Sequence, residues 1–221
     1  MARYKRGFDA DIAHRQLFKA DSAFKPWVKR IGRIDHSGGW LRPFNVTDAL
    51  ARAILYQQLS GKAAATIVAR VEQAMAADSF EHRHLSRLSD EQLRACGVSG
   101  NKVLALRDLV RRERLGEIPM ARQLQYLDNE AIFEALVPTR GIGRWTVEMM
   151  LMFRLGRPDV LPIDDLGVRQ GAMILDSLDA MPSPKALAER GQLWAPYRTL
   201  AAFYLWRIAD FRKESVQRSQ A

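Results

Sequence analysis

Cysteine and histidine are scarce in this sequence of 221 residues. Cys96 is the only cysteine. One thiol cannot form a disulfide within the chain, and it cannot supply a four-cysteine zinc or iron–sulfur site. Of the four histidines, only His82 and His84 are close together, and no cysteine or acidic cluster accompanies them. We therefore expect these two at the surface, and zinc-dependent chemistry is disfavoured.

Long apolar runs and alternating strand patterns are also lacking. No apolar segment approaches the length of a membrane span, and residues 1–11 lack the apolar core of a secretory signal. A soluble cytoplasmic protein without membrane contact is expected, associated with the nucleoid if the host is a bacterium. Hydrophobic residues make up 48% of the chain, enough for the core of one compact domain or two joined lobes.

Acidic residues are outnumbered by basic ones. The chain has 34 lysines and arginines against 25 aspartates and glutamates, and its pI is about 10.0. A basic surface concentrates polyanions, and nucleic acid is the expected one. On charge alone, a basic protein that is merely well solvated is as good an interpretation as a protein that binds nucleic acid.

Most of the apolar pattern has helical spacing, which predicts an all-α fold of about ten helices with little or no sheet. A segment from about Arg144 to Leu155 is apolar nearly all round, which predicts a buried helix. Several signals predict where helices begin: Thr47-Asp48, the capping box Ser89–Gln92, Asp128, Asp164 or a neighbour, Ser183-Pro184 and Pro196. Ser60-Gly61 interrupts the helical run that follows Thr47, which predicts two helices there.

The densest signal is the segment LVPTRGIGRWT at residues 136–146, where one helix ends, a glycine turn follows and a second helix begins. Gly141 and Gly143 can adopt backbone conformations that other residues avoid, and they let an anion approach the backbone. The first N–H groups and the dipole of the second helix add positive potential. With Arg140, Arg144 and the Thr146 hydroxyl assisting, the turn can hold a DNA phosphate without any base being read.

The same glycines would occur in an ordinary helix–turn–helix connection with a glycine cap. A bare Gly-x-Gly favours that interpretation. The flanking helices, the arginines and the basic composition favour phosphate binding instead.

Four segments together resemble the helix-hairpin-helix (HhH-GPD) DNA glycosylase superfamily, and within it the 3-methyladenine DNA glycosylase II (AlkA) type. They are AILYQQLS at 53–60, GIGRWT at 141–146, LPIDD at 161–165, and WAPYR at 194–198 running into YLWR at 204–207. The resemblance implies two helical lobes with the active cleft between them, one formed by residues 1–46 and 158–221 and one by 47–157. It also implies a compact form without the N-terminal β-rich domain of larger members.

The resemblance assigns roles by position. Asp165 would be the catalytic carboxylate and Asp164 the cap of the helix that positions it; a capping or salt-bridging role for Asp165 is the alternative. Trp145 and Trp206 would line the base pocket, although Trp206 could equally belong to the core. Two positions depart from the family pattern: Arg140 replaces a proline of many relatives, and Leu166 an aromatic residue of several.

Further roles concern DNA and a metal. Gln58 matches the position of the residue that enters the duplex as a wedge in this family, and Gln57 lies beside it. That both glutamines are simply polar turn residues is nearly as good an interpretation. Lys102, on a basic helix face, could add a backbone contact or simply be solvated. Related hairpins hold a metal ion through backbone carbonyls, which would here be those of Val137, Thr139 and Ile142.

The chemistry of base excision suits an aspartate. Breaking an N-glycosidic bond builds positive charge on the deoxyribose, and a carboxylate at ~4 Å stabilises it by about 4 kcal/mol at an effective dielectric of ~20. The base must first be flipped out of the duplex, and a cationic alkylated base gains from an aromatic face. Trp145 stands where bifunctional relatives have a lysine nucleophile, which predicts hydrolysis without strand cleavage.

The leading hypothesis is a monofunctional DNA glycosylase that removes alkylated bases such as 3-methyladenine and 7-methylguanine. We expect it to act as a monomer on duplex DNA without a required cofactor. The alternatives are a non-catalytic DNA-binding module with the same hairpin, and a glycosylase for other lesions, including a lyase-active one for oxidised bases.

Overall fold

A computed structural model of the chain describes residues 3–35 and 37–220. Within these residues the chain forms α-helices, one 3-10 helix (Gln192–Trp194) and no strand, which confirms the predicted all-α class. The α-helices, in chain order, are α1 (Ala10–Ala20), α2 (Phe24–Ile31), α3 (Ser37–Trp40), α4 (Val46–Tyr56), α5 (Gly61–Met75), α6 (His82–Leu85), α7 (Asp90–Ala95), α8 (Gly100–Arg114), α9 (Ala121–Leu124), α10 (Asn129–Leu136), α11 (Arg144–Phe153), α12 (Leu166–Leu175), α13 (Pro184–Gly191) and α14 (Arg198–Gln220).

The number of helices exceeds the predicted ten partly because α3, α6 and α9 have only four residues each. A helix of one turn is too short to show a 3.6-residue period in the sequence. Among the described helices, none combines the length and the apolar character that a membrane span requires.

The chain divides into two compact units. One comprises Met1–Tyr4 and Pro43–Met150, and the other comprises Lys5–Arg42 and Leu151–Ala221. The first therefore contains α4 to α10 and most of α11, and the second contains α1 to α3 and α12 to α14. The unit boundaries lie at Pro43 and Leu151, whereas those expected for the family's lobes are 47 and 158.

Capping side chains set the starts of α4, α5, α7 and α10 in the first unit. Ser60 caps α5, Ser89 forms the predicted capping box with Gln92, and Asp128 caps α10. The expected start at Thr47-Asp48 is wrong, because the side chain of Asn45 accepts from Asp48 N and begins α4 earlier. The carboxylate of Asp48 instead accepts from the backbone of Phe80.

The second unit begins α13 as predicted, with Ser183 as the N-cap and Pro184 in the first turn. The predicted start of the last helix at Pro196 is wrong. The N–H of Tyr197 donates to the carbonyl of Trp194 and closes a turn there, so that α14 begins at Arg198.

Two glycines allow α12 to pack very closely against α14. Gly167 and Gly171 are four residues apart and therefore share one face of α12. A Cβ atom on Gly171 would lie 2.0 Å from the carbonyl oxygen of Leu205, and one on Gly167 would lie 2.8 Å from Cδ1 of Trp206. The α12–α14 contact thus has no room for a methyl group at either position.

We predict that Gly171→Ala lowers the free energy of unfolding by about 1–3 kcal/mol, because the methyl group must displace the backbone of Leu205. Gly100→Ala is the control: its Cβ would meet nothing within 4 Å, and alanine favours a helix over glycine. Chemical denaturation of both variants checks this. Equal or higher stability of Gly171→Ala would contradict the close packing.

Candidate functional site

The carboxylate of Asp165 caps α12. Its Oδ1 atom accepts from Val168 N at 2.9 Å, and the N–H of Asp165 itself donates to Pro162 O at 3.1 Å. Asp164 lies in the preceding turn and is exposed. The prediction that Asp164 is the helix cap is therefore wrong: a capping side chain reaches the N–H three residues later, and that register belongs to Asp165.

A second donor holds the same oxygen. The indole Nε1 of Trp206 donates to Asp165 Oδ1 at 2.8 Å. A Cβ at Gly167 would lie 3.1 Å from that Nε1 and 3.2 Å from Oδ1, so the glycine leaves the space through which the indole reaches the carboxylate. Asp165 is thus held by the backbone of α12 and by a side chain of α14.

Aromatic rings extend this site. Trp206 stacks on Phe153 with ring centroids 5.8 Å apart and an interplanar angle of 23°. Phe203 and Trp194 are buried, at 4% and 1% exposure. Phe153, the last residue of α11, is 38% exposed.

The helix α11 is only partly buried. Val147, Leu151 and Met152 are fully buried, as its apolar sequence predicts, but Trp145 is 48% exposed. An indole with so much exposed surface in the first turn of a helix can contact a ligand.

The glycine turn connects α10 to α11. Gly141 has φ of 79°, which explains the requirement for glycine there, and its Cβ would lie 3.1 Å from Cβ of Ala105. The same conformational prediction is wrong for Gly143, which has no positive φ. Gly143 faces open space, since a Cβ there would meet nothing within 4 Å. An approach of a ligand to the backbone at Gly143 is therefore unobstructed.

Both arginines of the turn are exposed. Arg140 is exposed, and its backbone N–H donates to Asp108 Oδ2 at 2.9 Å. The guanidinium of Arg144 lies over Phe133, 3.9 Å from the ring centroid, and within 3.5 Å of the Glu130 carboxylate.

Thr146 is buried, at 8% exposure. Little of its surface is open to a phosphate, and the assisting role of its hydroxyl stays a prediction. Thr146 lies four residues before the buried Met150 and shares the inward face of α11.

Two predicted DNA contacts bind other parts of the first unit. Gln57 donates through Nε2 to the carbonyl of Gly141 at 2.8 Å. Lys102 donates through Nζ to the carbonyls of Leu55 and Gln57, at 2.8 Å each, and burial lowers the pKa of this ammonium. Gln58, the predicted wedge, is exposed and has φ of 56°.

A metal ion at the turn would have oxygen ligands only. The carbonyl of Thr139 accepts from Ile142 N at 3.0 Å and keeps a second lone pair. Among the described residues, the Thr139 hydroxyl is buried without a hydrogen-bond partner, and no group of three His, Cys, Asp or Glu side chains could bind a metal. Such donors fit a hard cation.

Residues 51–196 match the model of the HhH-GPD superfamily base excision DNA repair proteins. The chain therefore belongs to this family, as its motifs predicted. It is 37% identical to DNA-3-methyladenine glycosylase 1 of Schizosaccharomyces pombe, over 91% of this chain and 90% of that protein.

Solved structures agree. The DNA-3-methyladenine glycosidase from Bacillus halodurans matches with a TM-score of 0.81 and 34% identity, over 91% of each chain. The S. pombe 3-methyladenine DNA glycosylase in complex with abasic DNA matches with a TM-score of 0.76 and 35% identity, over 88% of this chain and 95% of that one. The alkylation-repair branch of the family is thereby confirmed.

Sequence reasoning missed the residues that support the site. Gly167 and Gly171 have the spacing of a close helix contact, which was a usable signal. Asp108 gave no such signal in the sequence, because a carboxylate on a basic helix is expected to form an ordinary i, i+4 ion pair. His14 is also unexpected: it is 4% exposed, its Nε2 lies 2.9 Å from the Tyr204 hydroxyl, and burial lowers its pKa.

We predict that the bond between Trp206 and Asp165 contributes about 1.5–3 kcal/mol to stability, as hydrogen bonds to charged groups do. In a double-mutant cycle, Trp206→Phe and Asp165→Ala should then be non-additive by that amount in the free energy of unfolding. The control pair combines Trp27→Phe with Asp165→Ala and should be additive. Additivity in both pairs would show that the bond contributes nothing.

Proposed function

We propose that this protein is a monofunctional DNA glycosylase of base excision repair, which hydrolyses the N-glycosidic bond of alkylated bases such as 3-methyladenine and 7-methylguanine. One observation carries the proposal. The carboxylate at the family's catalytic position, Asp165, is held at a helix N-terminus by Val168 N–H and the Trp206 indole. Its relatives are DNA-3-methyladenine glycosylases by name.

The carboxylate acts by electrostatics. Positive charge develops on the deoxyribose as the base leaves, and an anion at ~4 Å lowers the barrier by about 4 kcal/mol at an effective dielectric of ~20. The two hydrogen bonds orient Asp165 before the reaction, so that no reorganisation is needed when the charge appears. The same carboxylate can orient the attacking water.

The aromatic residues explain the choice of base. The exposed ring of Trp145 offers a face on which a cationic base gains about 0.5–2 kcal/mol. A cationic alkylated purine is also a good leaving group, so no strong general acid is required. Because Trp145 occupies the position of the lysine nucleophile in bifunctional relatives, the product is an abasic site in an intact strand.

Duplex DNA is the partner, bound by one copy of the protein. The turn between α10 and α11 holds a phosphate at the first N–H groups of α11, where Gly143 leaves the backbone open. The exposed Arg140 adds positive charge, and Gln58 enters the space that the flipped base vacates. The reaction requires no cofactor, and a hard cation at the carbonyls of the turn would add only positive potential there.

We predict that Asp165→Asn lowers the single-turnover rate of 7-methylguanine release about a thousandfold, because about 4 kcal/mol of transition-state stabilisation is lost. Asparagine still caps the helix and accepts from Trp206, so the fold and DNA affinity are retained. The matched control is Asp164→Asn, which changes the neighbouring exposed carboxylate and should excise normally.

Two outcomes would contradict the proposal. A wild-type protein that binds DNA but releases no alkylated base would be a binding module. A covalent adduct with DNA trapped by borohydride would establish a lyase, and the interpretation of Trp145 would be wrong.

Binding to duplex DNA should be mainly electrostatic. We predict that the logarithm of the binding constant falls by about 0.9 per log unit of salt for each phosphate neutralised. A titration of labelled duplex at several salt concentrations measures this slope. The Arg140→Gln variant should have a slope smaller by about 0.9 if its guanidinium contacts one phosphate. An affinity independent of salt would rule out phosphate binding as the main source of affinity.

A further inference from the structure

Gln58 has a strained backbone. Its φ of 56° lies in the left-handed region, which a residue with a side chain rarely adopts. The side chain of Gln58 is exposed, so its burial does not offset the free-energy cost of this conformation. Strain of this kind persists only where neighbouring contacts impose it, and it often marks a functional segment.

Lys102 bonds the backbone just before Gln58. The ammonium, extended from α8, donates to the carbonyls of Leu55 and Gln57 at the end of α4. These carbonyls belong to the last turn of a helix and its cap, where no intrahelical donor is available. Two of the three donors of the ammonium are therefore used within the protein.

The side chain of Gln57 holds the same residue at a second point. Its side-chain amide donates to the carbonyl of Gly141 in the phosphate-binding turn. The residue before Gln58 is thus tied by its backbone to α8 and by its side chain to the turn. We call the contacts of Lys102 and Gln57 the clasp.

We infer that Lys102 and Gln57 are positioning residues: the clasp holds Gln58 in the left-handed conformation in which it enters the duplex, and Lys102 is not a phosphate contact. The inference rests on the proposed glycosylase function for its consequence, which is easier base flipping. A residue already held in its inserted conformation loses less entropy on binding than a free loop does. The half-buried ammonium already donates to the carbonyls of Leu55 and Gln57, so at most one of its three donors is left for a DNA phosphate.

The experiment compares a paired lesion with an unpaired one. The substrates are duplexes with 7-methylguanine opposite cytosine or opposite an abasic-site analogue, which needs no opening of a base pair. We expect Lys102→Met to lose about tenfold in single-turnover rate on the paired lesion, and less than twofold on the unpaired one. Lys102→Arg, which can still donate to the two carbonyls, should recover most of the rate.

Gln58→Gly tests whether Lys102 acts through Gln58. Glycine accepts the positive φ and removes the side chain, so this variant should fold at least as stably and show the same selective loss on the paired lesion. The double variant Lys102→Met with Gln58→Gly should lose no more than Gln58→Gly alone. Independent, additive losses would overturn the inference.

Salt dependence separates the clasp from a phosphate contact. Lys102→Met should leave the salt slope of DNA binding unchanged, as should the control Lys185→Met, which removes an equal charge from the exposed surface of α13. A slope reduced by about 0.9 in Lys102→Met alone would identify Lys102 as a phosphate contact and overturn the inference. The inference would also be overturned if Lys102→Met lost rate equally on the paired and the unpaired lesion, or lost none on either.

Failure of the clasp can be distinguished from failure of the proposed function. Fluorescence of 2-aminopurine placed beside the lesion reports base flipping without excision. A wild-type protein that flips the base but does not excise it would contradict only the glycosylase activity. A Lys102→Met variant that flips the paired base as well as wild type would contradict only the clasp. Gln57→Glu, which loses the bond to Gly141, provides a second variant if Lys102→Met fails to fold.

Discussion

The hydrogen bond from the Trp206 indole to Oδ1 of Asp165 is the contact on which the account of the second unit depends. It forms only because α12 and α14 lie close enough for the indole to pass Gly167, and that distance is set again at Gly171 against the backbone of Leu205. The helix cap and the indole together leave Asp165 little rotational freedom. A carboxylate that is oriented in advance can stabilise a developing cation without first rearranging.

In the first unit, hydrogen bonds also fix a functional segment in advance, but the groups they hold are backbone groups rather than a carboxylate. Asp108 accepts from the N–H of Arg140, and Gln57 donates to the carbonyl of Gly141, so both ends of the dipeptide that opens the glycine turn are bonded. Lys102 ties the end of α4 to α8. The residues proposed to meet DNA therefore sit on a turn whose shape is determined by side chains that need not touch DNA.

Much of the fold was predictable because its signals are local. The capping serines at 60, 89 and 183 and the break between α4 and α5 follow from side-chain chemistry within three or four residues. Which of Asp164 and Asp165 caps the helix could not be predicted. Two adjacent carboxylates are equivalent in the sequence until the first residue of the helix is known. Thr146, Lys102 and Gln57 could not be placed either, since their partners depend on packing between helices distant in sequence.

The central claim is that Asp165 stabilises positive charge on the sugar, and the affinity for charged and neutral abasic analogues tests it most directly. The comparison uses duplexes that carry a cationic pyrrolidine or a neutral tetrahydrofuran in place of the deoxyribose. The account predicts that wild type binds the cationic analogue at least about a hundredfold more tightly, as expected for a transition-state mimic. Equal affinity for the two analogues would contradict it.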